Sequence, residues 1–209
     1  MLDVSKAVAS SLDPDRVGEL VLKESTAALR ADHASLFLVD DSSGHLFLHK
    51  ALGFSKDEIG NIKLLGSWET INNEVIKKRR SLIVNDIHTN AIFRNKILPF
   101  SHEKIPVKSF MAVPLDKGKK IIGVLIVSNK KRPGHRFNKE DKELLSSLSN
   151  HIAIAIINAK LYKRLNDLFI STITSLTRTL DAKDPYTGGH SERVMKYALA
   201  IGREMRLKE

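Results

Sequence analysis

The chain has 209 residues, 42% of them hydrophobic and 28% charged, a balance that suits a globular protein made of one large domain, or of one domain and part of another. It contains no cysteine, which excludes disulfides, thiolate metal sites, cysteine catalysis and a chromophore held through a cysteine thioether. The net charge of +10 would suit an anionic partner, but the basic residues are scattered in short clusters (Lys77 to Arg80; Lys117, Lys119 and Lys120; Lys130 to Arg132) with few aromatics among them to stack on bases. They read as solvated surface, and no DNA-binding helix signature accompanies them.

Asp13-Pro14 marks a helix start, with Asp13 as N-cap and Pro14 in the first helical position. Val17, Leu20, Val21 and Ala28 continue an amphipathic helix to about Arg30, with a shorter helix expected before it. Ala34–Val39 and Leu46–Leu48, separated by Asp40-Asp41-Ser42-Ser43-Gly44, predict a β-hairpin. Ser67 is placed to cap a helix from Trp68 to about Lys78, and Leu82–Val84 is a short strand after it. Residues 86–108 keep no clean period, contain Pro99 and Pro106, and predict a long, partly helical loop, a feature that in compact domains is usually functional or mobile. Phe110–Leu115, a Lys-Gly turn and Ile121–Val127 predict a second hairpin whose last strand is apolar on both faces, as a central strand should be.

After Pro133-Gly134 the pattern turns helical. Leu145, Leu148, Ile152, Ala155, Ala159, Tyr162, Asn166, Phe169, Ile173, Leu176 and Leu180 step by three and four residues, a heptad seam broken only by Asn166. Ile154, Ile157, Leu161, Leu165 and Leu168 form a second stripe. One face can pack on the sheet while the other meets a partner, and the seam predicts a parallel homodimer through the 145–180 helix, with Asn166 fixing register. The whole is an α+β arrangement: an antiparallel sheet flanked by helices, then a long C-terminal helix. No apolar run approaches the roughly 20 residues of a bilayer span. The N-terminus lacks the basic stretch and apolar core of a signal peptide, so a cytoplasmic protein is expected.

Lys108-Ser109-Phe110-Met111-Ala112-Val113-Pro114-Leu115, followed by Ile122-Gly123-Val124-Leu125, resembles the GAF family, with its (R/K)-S-x-x-x-V-P-L strand, turn and I-G-V-L strand. The element order agrees from Val4 to about Leu161, which implies a GAF sensor domain over residues 1–160. Asn129, Lys130, Phe137 and Asp141 resemble the N-K…F-x-x-x-D-E signature of cyclic-nucleotide-binding members, except that Lys142 stands where the Glu would be. The resemblance implies that Lys130 and Asp141 form a structural ion pair. It also implies a small-molecule pocket between the sheet and residues 86–108, with Trp68, Phe93, Arg94 and Phe100 as candidate contacts. The ligand is not named by any of these residues; aromatics in such places are more often plain core, and an arginine such as Arg94 is more often solvated.

Asp184-Pro185-Tyr186-Thr187-Gly188-Gly189-His190-Ser191-Glu192-Arg193-Val194 resembles the opening motif of HD-GYP domains, D-P-Y-T-x-x-H-S-x-R-V. This implies a long connecting helix over 145–181 and the start of an HD-GYP phosphohydrolase domain over 166–209. His190 would be one ligand of a divalent metal centre of iron or manganese, and Tyr186 in place of a family Glu implies two metals. His190, Val194, Tyr197 and Ile201 would share one inward helix face. The His-Asp pair and the Gly-Tyr-Pro stretch that name the family do not occur in the 209 residues. The resemblance therefore implies the regulatory part of a longer cyclic di-GMP phosphodiesterase, itself inactive and without a complete metal site. Two other functions fit the residues: a stand-alone small-molecule-binding or dimerisation module, and an HD-family phosphohydrolase acting on another nucleotide.

Overall fold

The structure is a computed structural model, and it describes residues 13–59, 72–93, 107–118, 120–131, 136–183, 190–205 and 207. The expected helix before Asp13 lies outside them. The chain divides into two compact units, Met1–Lys160 and Leu161–Glu209.

Helix α1 (Pro14–Leu29) begins where Asp13 accepts the Asp15 N–H at 3.0 Å, with Pro14 at a position that needs no donor. It ends at Arg30, which adopts the left-handed conformation (φ 50) and donates its N–H to the Ala27 carbonyl. Val17, Val21, Leu22 and Leu29 form its buried face. Strands β1 (Ala31–Val39) and β2 (Leu46–Leu52) make the first hairpin. Its turn is organised by Asp40, whose carboxylate accepts the N–H groups of Ser42 (3.2 Å) and Ser43 (2.8 Å) and both serine hydroxyls. Those bonds hold the Asp40 carboxyl well below the usual carboxylate range.

The helix expected to reach Lys78 appears, in its described part, as a π-helical turn, Asn72–Lys77. The Arg80 N–H reaches back five residues to the Val75 carbonyl at 3.2 Å, and this wider winding ends with Arg79 left-handed (φ 49). Arg79 can then donate to Asp116 at 3.1 Å and to the Gly118 carbonyl at 2.7 Å. Strands β3 (Leu82–Val84), β4 (Phe110–Lys117) and β5 (Lys120–Lys130) complete a five-stranded sheet of order β2-β1-β5-β4-β3, with every pairing antiparallel. β5 lies between β1 and β4 and is buried from Ile122 to Ser128 on both faces.

Helix α2 (Lys139–Lys183) starts with a reciprocal cap: Asn138 Oδ1 accepts the Asp141 N–H at 2.8 Å, and Asp141 Oδ2 accepts the Asn138 N–H at 3.0 Å. Leu36, Leu38, Met111, Val113, Leu125 and Val127 on one face of the sheet form a core with Val21 and Leu22 of α1 and with Leu145, Ile152, Ile156 and Ala159 of α2. This corrects the seam expectation. Leu145, Ile152, Ala155 and Ala159 are buried in the chain's own core and are closed to a partner. Exposure along that seam begins at Tyr162, whereas Ile154, Leu161, Leu165 and Leu168 of the second stripe are open. A stretch within Lys139–Thr179 is, by length and composition, apolar enough to cross a membrane, because Ser, Asn and His interrupt the run without adding charge. Packing on the sheet accounts for part of that apolar content, at Leu145, Ile152, Ile156 and Ala159, while Ile154 and Leu161 stay exposed.

In the second unit, Thr172, Thr174, Ser175, Thr177 and Thr179 each donate a hydroxyl to the carbonyl four residues back, at 2.8–2.9 Å. Helix α3 (His190–Glu204) follows. The face expected to turn inward is exposed at Val194, Tyr197 and Ile201, since no described residue covers it.

Candidate functional site

The sheet face opposite α1 and α2 is set by strand alternation. Register pairs Ser35 with Ile126, His33 with Ser128, Phe37 with Val124, and Phe110 with Ser128, so these side chains share one face. Phe37, Phe110, Ala112, Val124 and Ile126 form an apolar floor, and Ser35 and Ser128 are buried hydroxyls within it. Val75 and Ile87 cover part of this floor together with Phe93.

Phe93 is fully buried and meets Phe110 edge-to-face, with ring centroids 5.2 Å apart. It is aimed inward by Asn90, whose side-chain oxygen accepts the N–H groups of Ile92 (3.0 Å) and Phe93 (3.3 Å). Its described surroundings are core side chains. Trp68, Arg94 and Phe100 lie outside the described residues, so Phe93 alone of the four candidate contacts is placed.

At the polar end of the floor, His33 stacks on Phe54 at 4.5 Å, and its buried Nδ1 has no hydrogen-bond partner among the described residues. Desolvation lowers its pKa, with Asp32 and Glu58 pulling the other way. Glu58 is held by the Ser55 N–H at 2.6 Å, which keeps its own carboxyl low. Sequence reasoning did not single out His33. Its only signal is the two-residue step His33, Ser35, Phe37 along β1.

Lys130 Nζ stands 2.6 Å from Asp141 Oδ2, with side chains only 15% and 14% exposed, and lies 5.8 Å from the Phe137 ring centre. The same Asp141 oxygen caps α2, so the pair fastens the end of β5 to the start of the helix. Asn129 and Asn85 extend this arrangement. Asn129 Oδ1 accepts the N–H groups of Lys108 (2.8 Å) and Ser109 (3.2 Å), while Asn85 exchanges two hydrogen bonds with the Phe137 backbone (3.0 and 2.7 Å).

His190 opens α3, but its side chain is not among those described, and residues 184–189 of the motif lie outside the described residues. Among the described residues no group of three or more His, Asp or Glu could hold a metal ion, so these residues do not fit a metal centre.

The model of the GAF domain family matches residues 11–157. With the sheet order and the helix packing above, this places the chain in the GAF family, as a sensory or regulatory module. It is 28% identical over 152 residues to the Nif-specific regulatory protein of Herbaspirillum seropedicae, covering 72% of this chain and 27% of that protein. It is 27% identical over 166 residues to diguanylate cyclase A of Treponema denticola, covering 77% of this chain and 43% of that protein. The chain thus spans less than half the length of either relative. Among solved structures, the GAF domain of a phosphoenolpyruvate-protein phosphotransferase from Coxiella burnetii superposes with a TM-score of 0.62 at 20% identity, over 78% of this chain and 94% of that one.

Proposed function

We propose that this chain is the sensory and dimerising part of an HD-GYP phosphodiesterase acting on cyclic di-GMP in the cytoplasm. The observation that carries the reading is the run Asp184–Val194, which follows a GAF domain directly along α2. In the intact protein His190 would contribute to a centre of iron or manganese, with its remaining ligands drawn from a catalytic region following Glu209. The catalytic step belongs to that region, and the 209-residue chain is expected to hydrolyse nothing. The GAF part would regulate through a helix pair formed by the open side chains of α2, among them Leu161, Leu165, Leu168 and Phe169.

A small molecule bound on the second sheet face would meet an apolar floor with hydrogen-bonding groups at one end, from His33, Ser35 and Ser128. The packing of Phe93 and Ile87 over that floor favours a second reading, in which the domain relays and dimerises without a ligand.

The test is turnover of cyclic di-GMP by the intact gene product with manganese or iron(II), beside the 209-residue chain. Linear product from the former, lost in His190→Ala, is expected. Absence of turnover with every metal tried, or undiminished turnover in the variant, would overturn the phosphodiesterase reading.

A further inference from the structure

Three segments that are distant in sequence meet where β3 ends, β4 begins and α2 begins. Asn85, the residue after β3, donates from Nδ2 to the Phe137 carbonyl at 3.0 Å and accepts the Phe137 N–H on Oδ1 at 2.7 Å. A single side-chain amide thereby pairs with a backbone residue as a neighbouring strand would. Two residues on, the Ile87 N–H donates to the Lys108 carbonyl at 3.0 Å, joining the exit of β3 to the entry of β4. Lys108 and Ser109 donate in turn to Asn129 Oδ1, and the Asn129 N–H donates to the Ser109 carbonyl at 2.9 Å. Asn129 takes up the left-handed conformation (φ 54) to do this, which Asn tolerates better than most residues. Lys130, next in the chain, closes the circuit onto Asp141 in the first turn of α2.

We infer that Asn85 and Asn129 join the exit of β3, the entry of β4 and the first turn of α2 into one cooperative unit, in which Asn85 positions the start of the long helix. The connection is contiguous: Phe137, Asn85, Ile87, Lys108, Asn129, Lys130, Asp141 and back through Asn138 to the helix cap. A displacement of the backbone on either side of the β3–β4 connection must then break or carry along the hydrogen bonds that set the helix start. Such a unit gives a bound molecule or a neighbouring domain a physical route to α2. It rests on these bonds alone and stands whatever output α2 serves.

Amide hydrogen exchange on the chain tests it, with Leu125, Ile126 and Val127 of β5 as reporters of global opening. Asn85→Ala removes the two bonds to Phe137 and touches none of those made by Asn129. Exchange at Lys108 and Ser109, and at Ile87, is expected to quicken about tenfold more than at the β5 amides. Asp141→Asn, cut on the helix side, is expected to quicken the same three amides. Ser81→Ala, which loses the hydroxyl contact to Ser146 (3.0 Å) between the same strand region and the same helix, is expected to leave them unchanged. Changes at Ile87, Lys108 and Ser109 no larger than those in β5, or equal changes in Ser81→Ala, would overturn the unit.

Discussion

A Cβ on Gly123 would stand 2.2 Å from the backbone carbonyl oxygen of Phe37. The obstacle is a neighbouring strand, so no rotamer change relieves it, and β1 and β5 must part for any larger residue. Gly123→Ala is expected to lower stability by about 2–3 kcal/mol. Gly118→Ala, where the added atom meets open space at φ +63, should lose about 1–2 kcal/mol. Urea unfolding of both variants checks the order, and an equal or smaller loss at Gly123 would show that the strands yield.

The Lys130–Asp141 pair is screened less than a surface bridge because both side chains are mostly covered. Asp141→Ala also removes the cap at Asn138, so it should cost about 2–3 kcal/mol, below the ~3–5 of a fully buried pair losing one partner. Lys130→Met should cost less, since Asp141 keeps the Asn138 N–H. A double-mutant cycle in urea is expected to show coupling above about 0.5 kcal/mol, and additive losses would leave the ion pair without a role.

His33 is held below its ordinary pKa by burial, so the folded state takes up its proton later than the unfolded chain as pH falls. Its contribution to stability is fully present above the unfolded value near 6.5 and is lost as pH drops from there toward the lower folded value. His33→Gln should flatten the stability profile in that window. Asp40, Asp41, Glu58, Glu74 and Asp86 shift downward too, and they produce a separate loss at lower pH, as each is protonated below its unfolded pKa. An unchanged slope in the variant as pH falls below the ordinary histidine value would show that His33 does not contribute.

Two leucines on α2 should behave oppositely. Leu145 is fully buried against the sheet, and Leu145→Ala should cost about 2–4 kcal/mol of folding stability. Leu165 is 66% exposed, and Leu165→Glu should leave folding nearly unchanged while abolishing self-association. Sedimentation at micromolar concentration is expected to show a dimer for the parent chain and a monomer for Leu165→Glu. Asn166→Leu should tighten the dimer and loosen its register. A parent chain that sediments as a monomer removes the dimer altogether.

Both hairpins and the start of α1 were legible in the sequence because their signals are local: alternation, an Asp-Pro cap and an Asp-Ser-Ser-Gly turn. The identity of the buried α2 face was not. A three-four step is the same whether the helix packs on a sheet or on another helix, and here Leu145 to Ala159 does the former. The basic clusters read as solvated surface, and Arg79, Arg80 and Lys120 are exposed; what the sequence could not supply is that Arg79 reaches Asp116 and Lys120 reaches Asp41, partnerships between residues far apart in the chain. Asn85 and His33 were missed for a different reason. Each is a single polar residue whose role is fixed by what the fold brings to it: alternation sets the face of His33 but not its stacking on Phe54, and nothing local announces the bonds of Asn85 to Phe137.

The back-bonded hydroxyls between Thr172 and Thr179 give this length of α2 an unusual surface chemistry. Their protons are spent on the helix's own carbonyls, so between Thr172 and Thr179 Arg178 is the side chain left to donate to a neighbouring helix. Contacts made there by Ile173 and Leu176 would be non-directional, so a helix pair would owe its register to Asn166 rather than to this length of α2.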